Sequence, residues 1–599
     1  MERIVVVPPP RRIRAGRGNF QLPAGLADAL AAYTVGAELP AGITARVDRA
    51  QVRHEQGYLL SVKPDGLSLL AADPRGLFYG AMTLRQLLRQ ANRAGEIPCV
   101  HIEDWPSYPV RGVMLDISRD RVPTRETLRR LLDLWAELKY NQVQFYTEHT
   151  FAYPAHEVVW RGASPLTPAE VEELDRYCRG RGIELVANQN SFGHLERWLR
   201  HSKYRHLADA TGGFPDPWGG WRTEPTTLNP LDPGSIELLS ALYDELLPHF
   251  SSGLLNVGAD EPIDLGHGRS REACLRQGVG RVYLDFLRKI HEQVSRRGRT
   301  MQFCADVLVH YPELVREIPR DLIALEWGYE ADHPFARECR IFAEAGVPFY
   351  VCPGTSSWNS IGGRWGNAQA NIASAAREGL AAEAEGFLLT DWGDNGHWQQ
   401  LPVSYPAYVY GAAAGWNPGS EGELDVEGFL SRHILLDPTG GAARALLAMG
   451  EVSDNEVVRL PNAGVLAVLL ALQLQPYHQK ALERFRGYAF ERERALLDDA
   501  LRSLAGAKLQ ADDGGLVREE LEFTAQLLEH AARLGRARFA TPGLATAEIP
   551  QQERRSLGAE LESLAARYRK LWLARSRPGG LEDSAGRMLA LKESYADPR

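Results

Sequence analysis

The sequence predicts an α/β protein built on a closed (β/α)8 TIM barrel, with a small N-terminal α/β domain and a C-terminal helical region. Three observations carry that expectation. Eight short apolar runs recur between residues 110 and 394. Amphipathic helical stretches separate most of them. Beyond about residue 425 the strand-like runs stop, and long Leu/Ala/Arg/Glu stretches such as "EELEFTAQLLEHAARLGRARF" take over. Strands that are apolar throughout, each followed by a helix, belong to a parallel sheet covered on both faces. Eight such units favour closure into a barrel over an open sheet.

Residues 1–105 are expected to form the small α/β domain. There "GYLLSVKPDGLSLLAADPRGLFYGAMTLRQLLRQ" (57–90) reads as strand, Pro-Asp-Gly turn, strand and helix. The barrel is expected over 106–424. Its strands are "VRGVMLDIS" (110–118), "NQVQFYTE" (141–148), "GIELVANQN" (182–190), "GLLNVGADE" (253–261), "MQFCADV" (301–307), "DLIALEW" (321–327), "VPFYVCP" (347–353) and "GFLLTDWGD" (386–394). Between them "TRETLRRLLDLWAELKY" carries one apolar face, and "TPAEVEELDRYCRGRG" opens on a capping box, Thr167 with Glu170, and a proline at the first helical position. Residues 425–599 are expected to be helical and to brace the barrel.

Composition narrows the function classes. With 44% hydrophobic and 24% charged residues there is material for a large core. A net charge of −9 with no basic run argues against nucleic acid and anionic membranes as partners. The apolar stretch near the N-terminus is only a few residues long and is cut by three prolines, so no signal-peptide core is expected. Six scattered cysteines without a C-x-x-C pair read as buried thiols in a reducing cytosol, and a cytoplasmic location is expected. There is no H-x-H early in the barrel, no H-E-x-x-H, and no G-x-G-x-x-G turn after the first strand, so neither metal nor nucleotide cofactor is expected. The oligomeric state is left open.

Barrel active sites lie at the C-terminal ends of the strands. The polar residues around the apolar runs are Arg111 and Asp116 for the first, Glu148 and His149 for the second, and Asn188, Asn190 and His194 for the third. Asp260 and Glu261 follow on the fourth, Asp306 on the fifth, and Glu326 and Trp327 on the sixth. Trp358 and Asn359 follow the seventh, and Asp391, Trp392 and Asp394 the eighth. An acidic mouth rich in tryptophan suits a neutral polyhydroxylated ligand. Carboxylates accept sugar hydroxyls, and rings pack on C–H faces. In "LLNVGADEPIDLG" (254–266) the Asp260–Glu261 pair is followed by Pro262, which lacks an N–H and is expected to end the strand. Neighbouring residues at a strand end point in different directions, so the two carboxylates would reach different atoms.

These motifs together resemble glycoside hydrolase family 20, the β-N-acetylhexosaminidases, and especially the intracellular hexosaminidase D-like branch. "NVGADE" stands where that family has a fourth-strand His-x-Gly-Gly-Asp-Glu. "RGVMLDISRD", "NQNSFGHLE", "TLNP" (227–230), "DWGD" (391–394) and the N-terminal "DPRGLFYGAMTLRQLL" also correspond, over roughly residues 50–400. The resemblance implies an exo-acting retaining enzyme whose substrate attacks its own anomeric carbon through the 2-acetamido oxygen. It implies that Asp260 orients the acetamide, that Glu261 is the general acid and base, and that His194 pairs with Glu148 in support of the acid. Arg111 would clamp sugar hydroxyls, and Trp327 and Trp392 would wall the acetamide pocket. Asn190, Asp306, Trp358, Asn359 and Asp394 complete the candidate substrate-binding set. Trp218 and Trp221, in a long Gly/Pro-rich loop, are candidates for stacking at an outer site.

The chain departs from the family at Asn256 and Ala259 in the fourth-strand motif. Cys304 lies near a usual pocket tryptophan, and Asp394 replaces a usual glutamate. "SSWNS" stands where a Tyr-x-Asp is usual. These departures leave gluco or galacto preference and the natural aglycone open. They keep a related acetamido-sugar hydrolase with galacto or modified-sugar preference as the alternative. A non-catalytic sugar-binding barrel would be expected to lose Asp260 or Glu261, and both are present.

Overall fold

The computed structural model describes residues 4–454, 458–471 and 476–596. β1 (Arg12–Gln21), β2 (Ile43–Val47), β3 (Tyr58–Lys63), β4 (Gly66–Ala71) and β5 (Glu96–Asp104) form one sheet in the order β1-β5-β3-β4-β2. β3 and β4 pair antiparallel with Lys63 opposite Gly66, so Pro64 and Asp65 form the tight turn that the sequence signalled. Helix Pro74–Leu88 covers this sheet. Asp73 caps it by accepting from the Gly76 N–H at 2.9 Å, and proline occupies its first position.

Each of the eight apolar runs contains a barrel strand. These are β6 (Val110–Asp116), β7 (Gln142–Tyr146), β8 (Glu184–Asn188), β11 (Leu254–Asn256), β12 (Thr300–Cys304), β13 (Leu322–Trp327), β14 (Phe349–Cys352) and β15 (Gly386–Asp391). They close in parallel, with β15 against β6 and β8 against β11. Between β8 and β11 a short hairpin, β9 (Phe214–Pro215) with β10 (Trp221–Arg222), organises the Gly/Pro-rich loop and leaves Trp221 63% exposed. The capping box forms as expected. Thr167 accepts from the Glu170 N–H, and the Glu170 carboxylate accepts from the Thr167 N–H at 2.9 Å.

The N-terminal sheet is riveted to the closed end of the barrel. Asp104 accepts from Lys139 at 3.0 Å, from the Tyr58 hydroxyl at 2.7 Å and from Trp416 Nε1 at 2.8 Å, with both charged side chains fully buried. The C-terminal helices, among them Gln551–Arg575 and Leu581–Glu593, brace the other end. The Arg577 N–H donates to Val122 O at 2.8 Å, Tyr568 donates to His397 O at 3.1 Å, and Trp398 Nε1 donates to Ser584 O at 3.2 Å. The loops that follow β6 and β15 are therefore held from outside the barrel. Among the described residues, no helix is long and apolar enough to cross a membrane.

Candidate active site

The Asp260–Glu261 pair lies past the end of its strand. β11 stops at Asn256, whose Oδ1 accepts from the Gly258 N–H at 2.9 Å. The backbone then turns left-handed at Gly258 (φ 60°), Ala259 (φ 71°) and Glu261 (φ 43°). The expected role of Pro262 as strand terminator is thus corrected, because the left-handed turn has already taken the chain out of the ladder. Asn190 spans the turn: its Oδ1 accepts from the Ala259 N–H at 3.2 Å, and its Nδ2 donates to Asp260 Oδ1 at 3.1 Å. A side chain at Gly193 would meet Asp260 O at 2.2 Å. Glycine there lets the loop after β8 lie against the pair, which brings the next residue, His194 (φ 54°), alongside both carboxylates. Strained positions cluster where the chemistry is concentrated.

His194 Nε2 is 3.3 Å from Asp260 and 3.5 Å from Glu261. The expected pairing of His194 with Glu148 is therefore corrected: Glu148 accepts from the Tyr146 hydroxyl at 3.1 Å and lies 3.4 Å from Arg119. Burial alone would raise the Asp260 carboxyl, but the His194 charge and hydrogen bond and the Arg119 charge outweigh it and hold it below its ordinary range. The Glu261 carboxyl goes the other way. Burial raises it, the Asp260 and Asp394 charges add to the rise, and His194 only partly offsets them. Burial disfavours a charged His194, yet Asp260 pushes it up to about 9. Burial also lifts Glu148 to about 7. Two adjacent carboxyls with opposite protonation tendencies are the signature of an ionised stabiliser beside a proton donor.

Arg111 is not at the mouth. It is 2% exposed at the closed end of the barrel, where it donates to Tyr108 O at 2.7 Å, Lys139 O at 3.1 Å and Gln56 Oε1 at 2.9 Å. As the second residue of β6 it lies about 3.3 Å per residue back from the strand's C-terminal end. The cation of the site is Arg119, three residues past the end of β6. Its guanidinium sits over Tyr146 at 4.5 Å and Trp392 at 5.0 Å, and lies 3.4 Å from Asp116 and 4.0 Å from Asp394.

Around the carboxylates lies an open recess. Inward residues of the strands, Met114, Cys304, Leu325 and Cys352, form its apolar floor. Trp327, Tyr329 and Trp392 form its walls, with Trp327 and Tyr329 stacked at 5.1 Å and 19°. His194, Asp260, Glu261, Arg119, Asp394 and Asn462 supply the polar lining. Other expected residues stand one layer back. Asn190 and Glu148 hold Asp260 and Arg119, as described, and Asp306 accepts from the Glu261 N–H at 3.1 Å. Trp358 does not line the recess; it is 1% exposed and meets Tyr329 edge-on at 5.1 Å, its ring folded over Gly354. Nor does Asn359, whose Oδ1 accepts from Asn395 at 3.0 Å. Arg119, Tyr329 and Asn462 were not expected. Arg119 carried a readable signal, since it follows the end of an apolar run while Arg111 begins one.

Two profiles of one family match this chain: its domain 2 over residues 24–105, and its catalytic domain over residues 108–358. The chain belongs to glycosyl hydrolase family 20. A β-hexosaminidase of Akkermansia muciniphila is 28% identical over 275 residues, which are 41% of this chain and 54% of that protein. Human hexosaminidase D is 24% identical over 338 residues, 51% of this chain and 65% of that one. The chain thus spans about half to two thirds of the length of these curated relatives. The crystal structure of a β-N-acetylhexosaminidase from Bacteroides fragilis superposes with a TM-score of 0.58 at 18% identity, over 72% of this chain and 95% of that one, and shares the fold.

In this family 20 chain, Ala259 sits at a left-handed position that glycine would occupy without strain, and Asn256 is turned into a buried polar layer, donating to Gln144 Oε1 at 2.7 Å. Among the described residues, the group spaced to hold a metal ion is Glu326, His333 and Glu338. It lies outside the recess lining, and its charges already satisfy one another. His333 Nε2 is 3.1 Å from Glu326 and 3.4 Å from Glu338. Against the effect of burial, the two carboxylates lift His333 to about 9, while burial lifts Glu326 to about 7. The triad ties β13 to helix Phe335–Ala345.

Proposed function

We propose that the protein is an exo-acting retaining β-N-acetylhexosaminidase that removes terminal β-linked N-acetylglucosamine or N-acetylgalactosamine. The observation that carries this reading is the convergence of Asp260 and Glu261 on one imidazole nitrogen. Glycosidases with an enzyme nucleophile place two carboxyls across the sugar, about 5–5.5 Å apart, and inverting enzymes set them about 6.5–9.5 Å apart. Asp260 and Glu261 both reach the one His194 nitrogen, one held ionised and the other raised, which supports an ionised stabiliser beside a proton donor. Asp394, the other carboxylate of the recess, faces Arg119 and is raised by burial, which suits hydroxyl binding.

On this reading, as in the substrate-assisted chemistry of family 20, the substrate's acetamide oxygen is the nucleophile. Ionised Asp260 accepts the acetamide N–H and balances the oxazolinium charge, and protonated His194 keeps it ionised. Glu261 protonates the glycosidic oxygen, then takes a proton from the attacking water. Trp327 and Trp392 flank the acetyl group, with Tyr329 stacked on Trp327, and Arg119 with Asp394 holds ring hydroxyls. The apolar floor closes the inner end, which fits exo action on a terminal sugar. The β-hexosaminidase and hexosaminidase D relatives support the same reading. Six unpaired, buried cysteines support the cytoplasm as its place of work. Cys304 in the floor and Asp394 at the rim motivate the second reading, a galacto or modified-sugar preference.

The test is a panel of nitrophenyl β-glycosides. Turnover of the N-acetylglucosaminide or N-acetylgalactosaminide with retention, and almost none of the glucoside, is expected; the ratio of the first two decides the preference. A fluorinated 2-hydroxy sugar, which traps enzyme nucleophiles, is expected to leave the protein mass unchanged. A stable adduct on Asp260 would overturn the mechanism.

A further inference from the structure

Asn462 reaches the recess from outside the barrel. It stands more than a hundred residues beyond the end of the matched catalytic domain, between helices Gly441–Glu451 and Val465–Leu470. Its backbone is left-handed, φ 55°, a conformation asparagine tolerates better than most residues. The Asn462 N–H donates to Glu330 Oε1 at 2.6 Å. Glu330 is itself held by Arg364 at 2.9 Å and by Arg459 at 3.0 Å. The Asn462 carbonyl accepts from Asn359 Nδ2 at 3.4 Å, and the Asn359 carbonyl accepts from the Gly464 N–H at 2.8 Å. Asn359 also binds Asn395, the neighbour of Asp394.

The main chain at 462 is thus fixed by one charged contact, to Glu330, and by the side-chain amide of Asn359. The side-chain amide is not. Its Oδ1 is buried and has no hydrogen-bond partner among the described residues, while the residue lines the recess. A buried acceptor left unpaired costs about 1–3 kcal/mol. A primary amide can both accept from and donate to a hydroxyl. We propose that Asn462 hydrogen-bonds a hydroxyl of the terminal sugar, so that the C-terminal helical region contributes a specificity-determining residue to the barrel's site. The proposal rests on the sugar-binding reading of the recess. It also gives a use to the Glu330–Arg364–Arg459 hub and to Asn359, which are far more elaborate than a surface loop requires.

Asn462→Gly deletes the side chain at a backbone angle that glycine adopts freely. Against a nitrophenyl N-acetylhexosaminide, kcat/KM is expected to fall about tenfold, mainly through KM, with thermal unfolding and the pH profile unchanged. On the matching 3-, 4- and 6-deoxy substrates, the loss is expected to vanish for one of them, which identifies the hydroxyl. Equal loss on every deoxy sugar, or no loss on the parent, would overturn the assignment while leaving hydrolysis by the wild-type protein intact. Calorimetry with free N-acetylglucosamine reads the residue apart from turnover. About tenfold weaker binding by Asn462→Gly supports the contact, equal binding overturns it, and no binding by the wild type overturns both this proposal and the hydrolase reading.

Discussion

At the closed end of the barrel, Arg111 lies over the Tyr79 and Trp416 rings and spends its guanidinium on fixed acceptors of the fold: three main-chain carbonyls and the Gln56 side chain. Eight residues on, Arg119 lies over two aromatic rings and among three carboxylates, with a face on an open recess. Nearby Lys139 repeats the first pattern, locked to Asp104 with neither side chain exposed. His194 repeats the second, shared between two carboxylates, one of which keeps 31% of its side-chain surface exposed. Both ends hold buried charge. What separates them is whether the partners are complete. At the closed end every charge is answered by the fold, so it can only supply stability. At the mouth some capacity is left over for a ligand.

The largest expected effect tests the mouth. Glu261→Gln is expected to lower kcat about 10²–10⁴-fold on a natural glycan, where the leaving oxygen must be protonated. The loss should be smaller for a nitrophenyl leaving group, and inhibitor binding and unfolding should barely change. Equal, small losses on both substrates would reject Glu261 as the acid.

The arginine pair comes next and addresses the comparison directly. Arg119→Ala is expected to cost about 10²-fold in kcat/KM of the folded protein, the size of one charged hydrogen bond to substrate, together with some stability, because Asp116, Glu148 and Asp394 lose their shared cation. Arg111→Ala is expected to destabilise by about 3 kcal/mol or more, because several buried acceptors lose their donor together, while kcat/KM of the folded fraction stays normal. Denaturant midpoints beside steady-state kinetics decide it. A catalytic defect in Arg111→Ala, with its stability intact, would erase the distinction.

His194 separates the ends by pH. Its charge holds Asp260 low and also restrains Glu261, so His194→Gln is expected to move both limbs of the kcat/KM profile to higher pH. An unmoved acid limb would mean that His194 does not control Asp260. The same histidine links stability to pH. Raised to about 9 in the fold, its contribution is present in full below about 6.5 and is lost as pH rises through about 9. His194→Gln should flatten the stability profile across that window, whereas Lys139, which burial lowers despite the Asp104 charge beside it, has a pH dependence of the opposite sign.

The barrel was legible because each strand is an uninterrupted apolar run between helices, and eight runs leave few other architectures. The Asp260–Glu261 pair was legible because two adjacent acids after a buried run are costly without a purpose. Arg111 was misplaced for want of direction: only a strand's C-terminal end faces the site, and Arg111 begins its strand. Trp358 and Asn359 follow their strand as expected, but Gly354 lets the Trp358 ring fold away from the recess. Asn462 was out of reach altogether. Nothing local marks a residue in a helical region as part of a barrel mouth; long-range contacts with Glu330 and Asn359 bring it there.

The smallest expected effect concerns the backbone that carries the pair. Ala259, at φ 71°, occupies a conformation that costs an L-residue about 1–2 kcal/mol. Glycine would relieve that strain but would make the unfolded chain looser, an opposing effect of about 0.4–1 kcal/mol. Ala259→Gly is therefore expected to hold or raise stability, by no more than about 1.6 kcal/mol. Activity should change less still. The Ala259 N–H is pinned by Asn190 Oδ1 at 3.2 Å and its carbonyl by the Tyr283 hydroxyl at 3.0 Å, so the turn keeps its shape without the methyl group. Combining Ala259→Gly with Asn190→Ala sharpens the point. With one pin gone, the freed turn should let Asp260 drift from the acetamide, and kcat should fall by more than the product of the two single effects. Simple additivity would show that Asn190 acts on Asp260 through its side-chain hydrogen bond alone, and that the strained turn at the mouth, unlike the rivets of the closed end, holds its shape without it.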